Sequence, residues 1–153
     1  MNLSAHFSLA ELTQSDYAIR HGLDNSPNEA DILDNLHTLA AGLERVRVLL
    51  GNNMIYINSG YRAPKVNAGV GGSKTSAHMF GLAADFTCPT FGTPREICVH
   101  LRDNKEHIGF DQLIHEGAWV HIAFPPADQI PKMRVMTAIF KKGGGVSYVE
   151  GVA

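Results

Sequence analysis

Cysteine is scarce in this chain of 153 residues: Cys88 and Cys98 are the only two. They show none of the close pairing of a zinc-ribbon site, and two are too few for a disulfide scaffold. Two buried reduced thiols are expected, with a bridge across their short loop left open. An excess of one charge is lacking as well, since 13 basic and 15 acidic side chains give a formal net charge of -2. That excludes nucleic-acid binding through bulk charge. No apolar run approaches the roughly 20 residues that cross a bilayer, so no integral membrane segment is expected. The opening stretch MNLSAHFSLAEL has neither the basic start nor the continuous apolar run of a signal peptide. Synthesis in the cytoplasm without such a signal is therefore expected, and any action beyond the membrane would need a separate route of release. Repeats, low-complexity segments and linkers are absent. With 44% hydrophobic residues, the chain is expected to form a single globular domain over 1–153, as a monomer.

What is present is local and legible. Three segments have the form Ser/Thr-x-x-Glu: Ser8 to Glu11, Ser26 to Glu29 and Thr93 to Glu96. In such a box the hydroxyl accepts from an early backbone N–H while the Glu reaches back to the cap's own N–H. The second box is expected to open a long helix running to about Leu50, with Leu33, Leu36, Ala40, Leu43, Arg47 and Leu50 on one face and Gly51 at its end. Met54 to Asn58 reads as a strand, Asn67 to Ser76 as loop, and Leu82 to Thr87 as strand again. A helix follows the third box, burying Ile97, Leu101 and one or both cysteines. FDQLIHE and WVHIAF read as two strands joined by a tight turn at Gly117-Ala118. A last hairpin joins RVMTAIF to VSYVEGV through KKGGG, whose glycines supply positive φ. The sum is α+β, with helices packed on one side of a small, mainly antiparallel sheet.

The segment SAHMFGLAAD, Ser76 to Asp85, places one histidine and one aspartate near the ends of a stretch otherwise apolar or small. A buried pair that satisfies neighbouring backbone groups is the simple reading. The sharper one is that His78 and Asp85 converge on a metal ion. A catalytic zinc takes three protein ligands and leaves its fourth position to water. Gly81 lets the chain turn between the two, and Ala83 leaves room beside Asp85 on their shared strand face. His121, in mid-strand and on one face with Trp119 and Ala123, is the candidate third ligand, although a strand histidine is more often structural. A hydrolase also needs a base near the metal-bound water. Glu116 at the turn is the candidate, with Asp111 and His115 as rivals; strand alternation puts those two on one face and Glu116 on the other. Arg62, constrained between a strand and Pro64, could bind a carboxylate or steady an oxyanion, where the commoner fate of an arginine is an ion pair. Two histidines and a carboxylate also describe a non-haem iron oxygenase triad, though the usual spacing there is narrower.

The stretches SGYRAPKVNAGVGGSKTSAHMFGLAAD and FDQLIHEGAWVHIAF together resemble the zinc D-alanyl-D-alanine carboxypeptidase family, which includes peptidoglycan endopeptidases and many phage endolysins. The motif is Ser-x-His-x-x-Gly-x-Ala-x-Asp followed by Trp-x-His, and the likeness to the short single-domain branch extends over nearly the whole chain. The resemblance implies a hedgehog-like α+β fold and zinc held by His78, Asp85 and His121. It implies that Arg62 contacts substrate or oxyanion, and that Ser76 shapes the substrate site. It also implies hydrolysis of an amide bond in the peptidoglycan stem peptide, by a phage or prophage endolysin that reaches the wall through a separate pore. Many family members carry a Glu three residues before the last histidine. Here that position is Ala118, and Glu116, five before, fits only if the turn carries it back to the metal. A zinc-stabilised wall-binding or phage structural module without catalysis stands as the alternative.

Overall fold

A computed structural model describes residues 1–153. Short helices α1 (Leu9–Thr13) and α2 (Asp16–His21) precede the long α3 (Ala30–Leu49). Strand β1 (Tyr56–Ser59), helix α4 (Pro64–Gly69), a 3-10 turn (Ala77–Phe80) and β2 (Ala83–Thr87) follow. Helices α5 (Pro94–Asp103) and α6 (Lys105–Ile108) lead into β3 (Gln112–His115), β4 (Val120–Ala123), β5 (Arg134–Phe140) and β6 (Val146–Glu150). The six strands form one sheet in the order β1-β2-β4-β3-β5-β6. Every neighbouring pair is antiparallel except β3 with β5.

Two of the three expected capping boxes form, at Ser8–Glu11 and Thr93–Glu96, with both reciprocal hydrogen bonds present. The Ser26 box does not. The backbone of Ser26 donates instead to the Asp24 carboxylate, and α3 starts later, capped by Glu29 without a side-chain hydrogen bond. The reason lies next door, where Asn25 has another task. Its amide donates to the carbonyls of Thr13 and Tyr61 and its oxygen accepts from the Ala63 backbone. That ties the segment before α3 to the turn after β1. Part of the expected loop is also helix, because Pro64 at the first helical position starts α4, which runs through Asn67 to Gly69; Pro costs nothing there, since its missing N–H would have no partner. Strand β1 begins two residues later than expected and takes in Ser59.

Alternation along the strands divides the sheet into two faces. Ala84 and Phe86 on β2, Leu113 on β3, and Val120 and Ile122 on β4 point into the core. There they meet Leu36, Leu39, Leu43 and Val46 of α3 and Ile97, Cys98 and Leu101 of α5. Each of the Val, Leu, Ile and Phe side chains among them, taken fully from water, contributes about 1.5–3 kcal/mol of gross stabilisation. Arg47, placed on the expected apolar stripe of α3, is partly exposed, while Leu39 and Val46 are buried. Both cysteines are free and buried. Burial pushes the Cys98 thiol up to about 12 and raises that of Cys88. The opposite face, carrying Asp85, His121, Ile114 and Met136 in adjacent register positions, has no helix of the core stacked on it.

Since Asn25 satisfies three backbone groups at once, Asn25→Ala should lower the unfolding free energy by about 1–3 kcal/mol, read as a shifted midpoint in urea denaturation.

Candidate metal centre

Asp85 and His121 are direct cross-strand partners at the β2–β4 pairing in the middle of the sheet. That register brings the Asp85 Oδ1 within 2.9 Å of His121 Nδ1. His78 arrives from the other side, on the 3-10 turn that ends at Gly81. The Ser76 hydroxyl accepts from the His78 backbone N–H and caps this turn. Gly81 closes it with φ of +73°, packed against the backbone of Ile32 in α3, a conformation that L side chains disfavour. His78 Nε2 then lies 3.3 Å from the same Asp85 Oδ1.

The orientation of both rings is fixed from behind. His78 donates Nδ1–H to the Gly60 carbonyl at 2.8 Å, which leaves Nε2 as its lone-pair nitrogen. That Nε2 is buried and makes no aligned hydrogen bond. His121 places Nε2 at 3.1 Å from the Gln112 side-chain oxygen, so Nε2–H donates there and the Nδ1 lone pair of the neutral ring faces Asp85. Two lone pairs thus point at one carboxylate oxygen with no donor between them, an arrangement that repels unless a cation lies at its centre. The fit is good. Ligands of a tetrahedral ion with bonds of about 2.0–2.1 Å stand about 3.3 Å apart, against 2.9 and 3.3 Å here. The three donor atoms lie within 4.8 Å of one another. Two imidazole nitrogens and a carboxylate oxygen suit a divalent transition metal.

Charge supports the same geometry. Burial pushes the Asp85 carboxyl up, but when a proton rather than a metal sits on each ring, hydrogen bonding and charge from His121 and His78 outweigh it and hold Asp85 well below the usual carboxylate range. Burial pushes the His78 pKa down, favouring the neutral ring that a metal requires. Arg62 occupies the other side of the aspartate, with Nη2 3.5 Å from Oδ2. A bulge after Ile57 in β1 sets Ser59 opposite Asp85, and Ser59 accepts from Arg62 Nε at 3.1 Å. Asn67 Oδ1 accepts from Nη1 at 3.0 Å, and the Asn67 amide donates onward to the Ser73 carbonyl. Arg62 is therefore a rigid fork that reserves Oδ1 for the metal and keeps unbonded N–H groups at the cleft.

A cleft of about 640 Å³ opens over these residues. Glu116 lines it, together with Arg62, Ser76 and Trp119. Of the three rival bases only Glu116 is there. Ile114 stands opposite His121, so by alternation Glu116 shares the His121 face. His115 points to the other face, with a buried, unpartnered Nδ1. Asp111 accepts from the Lys132 backbone N–H and does not line the cleft. The turn that follows is closed by the Glu116 N–H donating to the Trp119 carbonyl, with Gly117 at φ of +83°. Burial raises the Glu116 pKa, His121 lowers it and Asp85 adds a further rise.

Sequence reasoning missed Gln112, Asn67 and Ser59, which orient the ligands and the arginine. The available signal for Gln112 was its even spacing from Glu116 on one strand. His78→Ala and His121→Ala should each abolish retention of a bound divalent ion, and wild-type metal content in either purified variant would refute the ligand set. Gln112→Leu should keep the ion but weaken it about 10–100-fold, measured by competition with a chromogenic chelator.

The sequence comparisons agree with this geometry. Over 75 residues the chain is 32% identical to the zinc D-Ala-D-Ala carboxypeptidase of Streptomyces albus G, a stretch covering 49% of this chain. The chain spans 28% of the length of that relative. The family model described as Peptidase M15 matches residues 5–123, which include Arg62, all three metal-ligand candidates and Glu116. The chain belongs to the Peptidase M15 family.

Proposed function

We propose that residues 1–153 form a single zinc peptidase domain that hydrolyses an amide bond in the peptidoglycan stem peptide. The observation that carries this reading is the convergence of His78, Asp85 and His121 on one point, open to a cleft that Glu116 also lines. The zinc-enzyme relative supports the metal and the substrate class. Bound there, zinc supplies Lewis acidity that makes water a nucleophile near neutral pH and polarises the scissile carbonyl.

The chain's own residues do the rest. Glu116 accepts the proton of the attacking water and hands it to the leaving amine. Arg62, already aligned by Ser59, Asn67 and Asp85, directs its remaining N–H groups at the developing oxyanion or at a substrate carboxylate. Ser76 sets the His78 backbone and lines the cleft, so substrate that enters there passes its hydroxyl. The resemblance to short single-domain lysins supports a finer reading as a phage or prophage endolysin, delivered to the wall through a separate pore. Glu116 in the same cleft as the ligands favours hydrolysis over a binding module that has lost its chemistry.

Purified protein incubated with Gram-negative peptidoglycan should release fragments whose masses identify the bond cut, and a chelator should stop the release. Binding to the wall without cleavage would favour the inactive module, and bound iron with keto-acid-dependent turnover an oxygenase. Glu116→Gln should retain zinc yet lose about 10²–10⁴-fold in kcat; near-normal turnover would remove Glu116 from the mechanism. In the wild type, kcat/KM should fall as the pH drops through ionisation of Glu116, because only the carboxylate accepts a proton. In the metal-free protein burial raises the Glu116 pKa; a bound cation pulls it, and the limb it sets, back down. The limb should be absent from the residual activity of Glu116→Gln.

A further inference from the structure

The cleft has two unlike banks. On one side stand Arg62, Ser73, Thr75 and Ser76 from β1's following turn and the loop after α4. The other bank is aromatic: Trp119 from the turn between β3 and β4, and Phe140 and Tyr148 from the β5–β6 hairpin. That hairpin lies beyond residues 5–123, which the family model matches. Its placement follows from register. Ile114 pairs with Met136, which puts Glu116 in line with Ala138 two residues on. Ala138 pairs in turn with Tyr148. Trp119, Glu116, Ala138 and Tyr148 therefore form one row across the sheet, and the small Ala138 leaves the space between Glu116 and Tyr148 open. Phe140 is one alternation further along β5, its ring close enough to Gly117 that a Cβ there would meet it at 3.5 Å.

These rings are exposed at a site that water alone does not explain. Phe140 is 59% and Tyr148 48% exposed, both on the face that bears the metal ligands and neither covered by another element. Contiguous exposed apolar side chains at the rim of a catalytic cleft mark a place where a ligand is held. Glu116, which delivers the proton to the leaving amine, stands on this bank, so the leaving part of the substrate lies over the aromatic rings.

We propose that the C-terminal hairpin is a substrate-binding arm in which Tyr148 and Phe140 hold the part of the substrate beyond the residues flanking the scissile bond. The inference rests on the peptidase reading above. The chemistry recognised is a C–H-rich surface laid against aromatic faces, which either stem-peptide side chains or a sugar ring of the attached glycan can present.

The test is kinetic, on three substrates: the shortest peptide that the wild type cuts, the full stem pentapeptide, and that pentapeptide bearing its disaccharide. Wild-type kcat/KM should rise along the series, and the step at which it rises tells peptide from sugar. Tyr148→Ala and Phe140→Ala should each raise KM for the longer substrate about tenfold, the equivalent of one aromatic contact, with kcat within about twofold, unchanged zinc content, and the shortest peptide unaffected. Tyr148→Phe should behave nearly as wild type. Equal losses on short and long substrates, or a fall in kcat alone, would mean that the rings merely support the Glu116 turn and would overturn the proposal, as would variants that keep the full gain with length. A wild type that cuts none of the three defeats the peptidase reading itself. Titration of zinc-loaded Glu116→Gln with the disaccharide pentapeptide then separates the two: binding lost on adding Tyr148→Ala retains the arm without the reaction, and no binding overturns both.

Discussion

One register position holds the functional geometry together. Asp85 faces His121 across the β2–β4 pairing, and a shift of a single residue would turn one of them into the hydrophobic core. The core itself prevents that shift. Ala84 and Phe86 on one strand, and Val120 and Ile122 on the other, are fully buried against α3 and α5, so slippage would expose apolar side chains along both strands while burying charge. Burial on one face thereby sets donor spacing on the other. His78 is the added piece, brought in by a turn whose ends are fixed by Ser76 and Gly81.

Around this point the polar groups form a connected set with few loose ends. Gly60 and Gln112 determine which nitrogen of each imidazole faces the carboxylate. Ser59 and Asn67 align Arg62, which holds the second aspartate oxygen. Such partners cost little once the backbone is in place, because they replace hydrogen bonds that water would otherwise supply. Their effect is preorganisation: the side chains need no rearrangement when charge develops in the cleft.

Much of this was legible in the sequence, and the parts that were not share a cause. The α+β class, the α5 capping box and the extent of β5 follow from local periodicity and cap residues, while the full candidate ligand trio comes from the family resemblance carried by two motifs. The Ser26 box failed because an asparagine one position earlier bonds to residues 12 and 38 positions away, and no local pattern reports a partner so distant. Gln112 and Asn67 were overlooked for the same reason, being polar residues whose meaning depends on what folds against them. Glu116 was the intermediate case. Alternation placed it opposite in sense to His115 and Asp111, but only the sheet shows that its side is the one with Asp85 and His121.

The two sulfhydryls of the interior carry a consequence of their own. A thiol reacts through its ionised form, and at Cys98, with a pKa pushed up to about 12, ionisation is negligible at neutral pH; Cys88 is shifted in the same direction and equally enclosed. Neither sulfur is exposed to an oxidant or to a neighbouring chain's disulfide. The folded chain's cysteines are accordingly insensitive to redox poise, staying thiols with no covalent tether to maintain.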